Sequence, residues 1–194
     1  LGGPVSRSRR LLLAWVLGAI ALGGCRDAGA PEGGQAGGER AVDASLFSFL
    51  SKARSVHHLA DLSLEVGDRA GAIAHLEQLS TGPRPASSPE VLEVLADTHA
   101  RLADLRSQGG QFDAAELEIQ RGLLLAERPT HFRGHLFEVR GLVEERRMQS
   151  LREAGDTAGA ERARKLALDA FEAAIEVQDE VIRAALGAEP GAAP

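Results

Sequence analysis

Between Ser45 and Leu186 the apolar side chains return every three or four positions, the spacing that lines one face of an α-helix. Val91, Leu92, Leu95, His99, Leu102 and Leu105 form one stripe. Phe112, Ala115, Ile119, Leu123 and Ala126 form a second, and Ala163, Leu166, Ala170, Ala174, Val177 and Val181 a third. Few stretches alternate as strands do. Breaks fall at Gly67, at Thr81-Gly-Pro-Arg-Pro85, at Gly109-Gly110, at Arg128-Pro129 and at Gly155, and Ser88-Pro89 suits a helix start because proline is tolerated in a first turn. These marks predict six helices, near 45–66, 68–80, 88–108, 111–127, 130–154 and 156–186, in an all-α body. Within this body Ala, Leu, Glu and Arg dominate, and all four favour helix.

The breaks recur with a period. Gly67-Asp-Arg-Ala-Gly-Ala72-Ile73, Gly110-Gln-Phe-Asp-Ala-Ala115-Glu116 and Gly155-Asp-Thr-Ala-Gly-Ala160-Glu161 each place Ala five residues after Gly, at intervals of 43 and 45 residues. The glycine permits a left-handed cap on the first helix, and the alanine lets the second lie close against it, so each unit is a helical hairpin. The second unit keeps Leu102-Ala103, Gly110, Phe112-Asp113, Ala115, Ile119, Gly122-Leu123 and Pro129. The first keeps Leu59-Ala60, Gly67-Asp68, Ala72-Ile73, Leu76 and Pro83, and the third Gly155-Asp156, Ala160, Ala167 and Leu168. On these residues the chain resembles the tetratricopeptide repeat proteins over about residues 50 to 170. It departs from them in its longer period, in lacking an aromatic early in the first helices and in its degenerate third unit. The resemblance implies about three stacked antiparallel hairpins in an α-solenoid; a plain antiparallel bundle is the alternative.

The amino-terminal stretch carries Arg7, Arg9 and Arg10 without an acid, then the apolar run from Leu11 to Leu22. This is the charged and apolar pattern of a secretory signal, and twelve residues span only about 18 Å, short of a bilayer core of about 30 Å. Leu22-Gly23-Gly24-Cys25 resembles the lipobox of bacterial lipoproteins. The resemblance implies cleavage between Gly24 and Cys25, lipidation of the Cys25 sulfur, and attachment to a membrane through acyl chains. Residues 1–24 are then a signal peptide and 25–44 a lipidated, Gly-rich tether, followed by the helical domain at 45–186 and a disordered tail at 187–194. Arg26 stands second in the mature chain, which by resemblance to enterobacterial lipoproteins favours the outer membrane, facing the periplasm.

Composition narrows the function. Net charge is −6 overall, and loss of the three leader arginines leaves 19 basic against 28 acidic side chains, so a nucleic-acid partner is not expected. One cysteine cannot form an internal disulfide. Trp15 leaves with the signal, which removes the sole tryptophan from a chain without tyrosine. No nucleophile elbow, phosphate loop or dinucleotide fingerprint is present, so no catalytic residues and no cofactor are expected.

His131 and His135 lie four apart with Glu138, a set that could ligate Zn²⁺ or Fe²⁺; no His-Glu-x-x-His element or second cluster completes a shell, and no metal is expected. His57 and His58 point to different faces. The acid clusters Glu144-Glu145 and Asp179-Glu180 read as solvated faces, the former balanced by Arg146-Arg147.

The repeat resemblance further implies that the first helix of each unit supplies the ligand-facing surface. That places Arg54, His57, Asp61 and Glu65 there from the first unit, Asp97 and Asp104 from the second, and Glu145, Gln149 and Arg152 from the third. The set is mixed and somewhat acidic, suited to an Arg- or Lys-bearing segment of another envelope protein. The expected function is a lipid-anchored, non-catalytic protein-interaction scaffold in the periplasm. The alternative is a helical-bundle lipoprotein with a structural, small-ligand or metal-binding role.

Overall fold

Three turns of one geometry organise the chain. In the computed structural model, which describes residues 44–86 and 88–187, Gly67, Gly110 and Gly155 adopt φ of 78°, 75° and 79°. The following amide donates back across the helix end each time, Asp68 to Ser63, Gln111 to Arg106 and Asp156 to Leu151, at 2.8, 3.0 and 2.9 Å. Each glycine amide donates to the carbonyl three residues earlier, which completes a Schellman cap. Asp68 and Asp156 then cap the next helix by accepting from the amides of Gly71 and Gly159, both at 2.8 Å. Gln111 makes no such side-chain cap.

The elements are α1 (Ala44–Glu65), α2 (Arg69–Thr81), α3 (Pro89–Gln108), α4 (Phe112–Leu125), α5 (His131–Glu153) and α6 (Thr157–Ala185). No strand occurs among the described residues. Ser88 and Thr130 cap α3 and α5 through their hydroxyls, and Pro89 opens α3. α4 ends two residues before the expected 127: the Ala126 amide closes on Gly122, and Pro129 disfavours helix at the residue before it.

The helices pair as α1/α2, α3/α4 and α5/α6, and each pair adds to the last by the same two contacts. Its first helix packs on the second helix of the preceding pair and beside that pair's first helix. Elements further apart in this succession do not touch among the described residues.

α3 shares in two cores. Its bulkier residues, Val91, Leu95, Leu102 and Leu105, join Phe49, Val56, Leu76 and Leu79 of α1 and α2. Its alanines, Ala96, Ala100 and Ala103, face Ile119, Leu136, Val139 and Val143 of α4 and α5. Each fully buried leucine or isoleucine contributes about 1.5–3 kcal/mol, so these clusters carry most of the fold's cohesion.

The α5/α6 pair is built differently. The buried face of α6 is Gly159, Ala160, Ala163, Ala167, Ala170 and Ala174. Small residues bring the two helices close, and Gly141 and Gly134 of α5 receive Phe171 and Gln178 of α6. The expected third stripe is thus corrected at Leu166, which is 49% exposed, while Val177 and Val181 are half-buried. Period counting in so alanine-rich a helix points equally well at a neighbouring face.

The expected signal peptide, Cys25, all but the last residue of the tether, and residues 188–194 lie outside the described residues. Among the described residues no helix is long and apolar enough to cross a membrane.

Candidate functional site

The expected ligand-facing residues fall on α1, α3 and α5, which lie side by side in that order. Arg101, which sequence reasoning passed over, joins the first two helices. Its Nη2 donates to Asp61 at 2.5 Å and its Nη1 to His57 Nδ1 at 3.0 Å. His57 Nε2 stands 3.1 Å from the Thr98 hydroxyl oxygen. Thr98 spends its own proton on the Val94 carbonyl at 2.7 Å, so its oxygen accepts from His57. A neutral imidazole with its proton on Nε2 satisfies every partner. Burial and the Arg101 charge accordingly hold the His57 pKa below its usual value, against the opposing pull of Asp97 and Asp61.

The second seam repeats the first. Arg146 of α5 donates to Asp104 of α3 at 2.7 Å and to the Ser107 hydroxyl at 2.6 Å. Asp61 and Asp104 each stand six residues before their turn glycine, and Arg101 and Arg146 each nine before theirs. One ion pair therefore recurs at equivalent positions at both junctions. Aligning the units on glycine would have shown Asp at −6 and Arg at −9; counting charges on first helices alone did not.

These pairs change what the face offers. Asp61 and Asp104 are occupied by arginines, and Asp97 lies 4.0 Å from His57. Arg54, Glu65, Gln149 and Arg152 are exposed, and Glu145 is half-buried; none forms an ion pair among the described residues. A cavity of about 360 Å³ opens beside the first turn, between Leu64, Arg69, Arg101, Asp104 and Gln108.

Two further polar networks lie between helices, one inside the α3/α4 hairpin and one at the α4/α5 junction. His99 Nδ1 is 2.8 Å from Glu118 Oε2, in the α3/α4 interface, and Arg121 holds the other oxygen at 2.8 Å. Burial pushes the Glu118 carboxyl up, but His99, Arg121 and Arg106 together pull it below its ordinary value.

The other network corrects the reading of Glu144 as solvated, because it is only 5% exposed. Arg147 Nε lies 3.3 Å from it and Arg147 Nη1 reaches Asp113 at 3.0 Å, while Arg140 pairs with Glu116 at 2.7 Å. Glu144 Oε2 and Glu116 Oε2 are buried without a hydrogen bond. Burial, with Glu116 and Asp113 nearby, pushes the Glu144 pKa up despite Arg147 and Arg140. Arg147 balances Glu144 as expected and also reaches Asp113 of α4, whereas Arg146 turns away to Asp104 of α3.

His131 and His135 stack with ring centroids 6.2 Å apart, and His135 Nδ1 approaches Glu138 at 3.3 Å. Among the described residues no group of three or more His, Cys, Asp or Glu is arranged to hold a metal ion. His58 is exposed and His57 is not, as their opposed faces require.

Comparison with protein-family models, curated proteins and solved structures yields no match to this chain.

Proposed function

We propose that this chain is a lipid-anchored, non-catalytic scaffold of the bacterial cell envelope, with tetratricopeptide-like hairpins that present the α1/α3/α5 face to a segment of another envelope protein. The recurrence of the Asp–Arg seam pair at equal register, beside turns of equal geometry, carries this reading. A pair repeated at both junctions holds successive first helices in one relative setting, and helices so set expose one continuous polar face. Hairpins that touch only the hairpins next to them are also what a stack of repeats requires. Anchoring rests on the lipobox-like Leu22-Gly23-Gly24-Cys25, with two or three acyl chains giving lasting membrane attachment.

The partner-facing test uses photo-crosslinking residues at Glu65, Gln149 and Arg152 on the face and at Gln78 on α2. One envelope protein crosslinked from the three face positions and absent at Gln78 is the expected result. Different proteins at each position, or equal capture at Gln78, would refute a shared groove. Changing Cys25 to Ser should move the protein from the membrane to the soluble fraction; unchanged retention would refute lipid anchoring.

A further inference from the structure

The second helix of the last hairpin leaves an apolar line uncovered. Leu168, Ile175 and Ile182 of α6 are 47%, 61% and 54% exposed, and Leu186 just beyond is more so. Seven residues advance a helix by two turns less about 20°, so the three side chains stack along one edge. Leu168 stands thirteen residues after Gly155, the register that Leu123 holds after Gly110 in α4. Leu123 packs against the cluster that includes Leu136, Val139 and Val143 of α5. α4 is thus covered by the helix that follows it, whereas no described helix follows α6.

The charges beside this line select the occupant. Glu172 and Asp179 lie one turn after Leu168 and Ile175, and Glu176 and Glu180 lie further round; all four are exposed and none forms an ion pair among the described residues. Arg183 is the sole basic side chain from 171 to 185, and its Nε is spent on the Asp179 carbonyl at 3.2 Å. An antiparallel second copy centred on Ile175 would match Leu168 to Ile182. It would also bring Glu172, Glu176, Asp179 and Glu180 against their own kind, which opposes self-association. An anionic lipid surface is disfavoured by the same four charges.

We infer that the α6 edge is a second interaction surface, which receives a basic amphipathic helix of another protein, with apolar residues at seven-residue spacing flanked by Lys or Arg. The helix lies along Leu168, Ile175 and Ile182, in the place on α6 that α5 takes on α4, and its cations meet Glu172 and Asp179. This surface is separate from the α1/α3/α5 face and does not depend on it.

The test titrates the purified full chain with a synthetic helical peptide that carries leucines at seven-residue intervals flanked by lysines, and with its twin in which glutamates replace the lysines. The lysine peptide should bind with one-to-one stoichiometry and the glutamate twin about tenfold or more weaker. Ile175→Asp should weaken the lysine peptide about tenfold or more, while Gln78→Ala on α2, outside both surfaces, leaves it unchanged. Equal binding by the twins, or an Ile175→Asp variant that binds like the parent, would overturn the inference. So would a concentration-dependent dimer, or pelleting with anionic phospholipid vesicles, that Ile175→Asp abolishes; these results would assign the edge to a second copy or to lipid. Circular dichroism confirms the fold of the variant, and Leu168→Gln repeats the measurement if its helical signal is lost.

Discussion

Gly122 lies against Leu136: a Cβ on this glycine of α4 would stand 2.5 Å from Leu136 Cδ2 and 3.3 Å from the Cβ of His99. Leu136 is wholly buried and cannot swing aside. Alanine at this position gains about 1 kcal/mol of helix propensity, but overpacking a filled core costs about 1–3 kcal/mol. Gly122→Ala should therefore lower stability by about 1 kcal/mol or more, read as a lower denaturation midpoint with an unchanged denaturant slope. Gly134 makes the converse case, because its Cβ would come nearest the Gln178 side chain, whose amide nitrogen would stand at 2.7 Å. The half-buried Gln178 side chain, whose Cγ would also stand at 3.2 Å, is flexible and can move, so Gly134→Ala should be neutral or stabilising by up to about 1 kcal/mol. Equal losses at the two positions would show that close packing does not explain Gly122.

The repeated seam pairs predict equal couplings at both junctions. Asp61–Arg101 and Asp104–Arg146 are partly exposed, a class worth about 0.2–1 kcal/mol each. Double-mutant cycles with Asp61→Asn and Arg101→Met, and with Asp104→Asn and Arg146→Met, should return coupling energies in that range and within about 0.5 kcal/mol of one another. The Arg101 single mutant should cost more than the Asp61 one, since it also strips the acceptor at His57 Nδ1 of its donor. A coupling at one seam alone would mean that shared register does not confer a shared role.

Much of this arrangement was legible in the sequence because the signals are local. A Schellman turn needs a residue at positive φ, and Gly67, Gly110 and Gly155 stand where it is needed; Ser88 and Thr130 mark helix starts in the same way. Helix ends, and the hairpins themselves, follow from residues within a few positions of each other. The seam pairs bridge 40 and 42 residues, and nothing in the spacing of charges on one helix discloses them. Glu144 misled for a related reason: its neighbours in sequence are charged, but its position on α5 turns it toward Glu116 and Asp113 of α4. Among the face residues, the helix of each was legible, but which acids an arginine already occupies was not.

His57 should make stability depend on pH below the ordinary imidazole value of 6.5. Its folded pKa is depressed below the ordinary 6.5, so between the two values the unfolded chain binds more protons. The contribution is complete above 6.5 and is lost as pH falls toward the folded value. Protonation puts a hydrogen on Nδ1, facing the Arg101 guanidinium, and should weaken the α1/α3 seam; Asp61 and Asp97 moderate but do not reverse this. Glutamine can donate to Thr98 and accept from Arg101 without titrating. The melting temperature of His57→Gln should therefore fall less than that of the parent between pH 7 and pH 5, and amides of α1 facing α3 should lose less hydrogen-exchange protection.

Glu144 should behave in the opposite sense. Its folded pKa is raised above the ordinary 4.5, so the folded state binds the proton more tightly than the unfolded chain. Whatever this carboxyl contributes is present below 4.5 and is lost as pH rises through the folded value, which leaves a buried, half-satisfied charge at neutral pH. Arg147 keeps Asp113 as a partner when the charge is removed. Glu144→Gln should raise the melting temperature at pH 7, and the gain should shrink to nothing as the parent protonates in acid. A lower melting temperature at pH 7 would mean that the Arg147 attraction outweighs burial, and that the carboxylate is held as an ion at the α4/α5 junction.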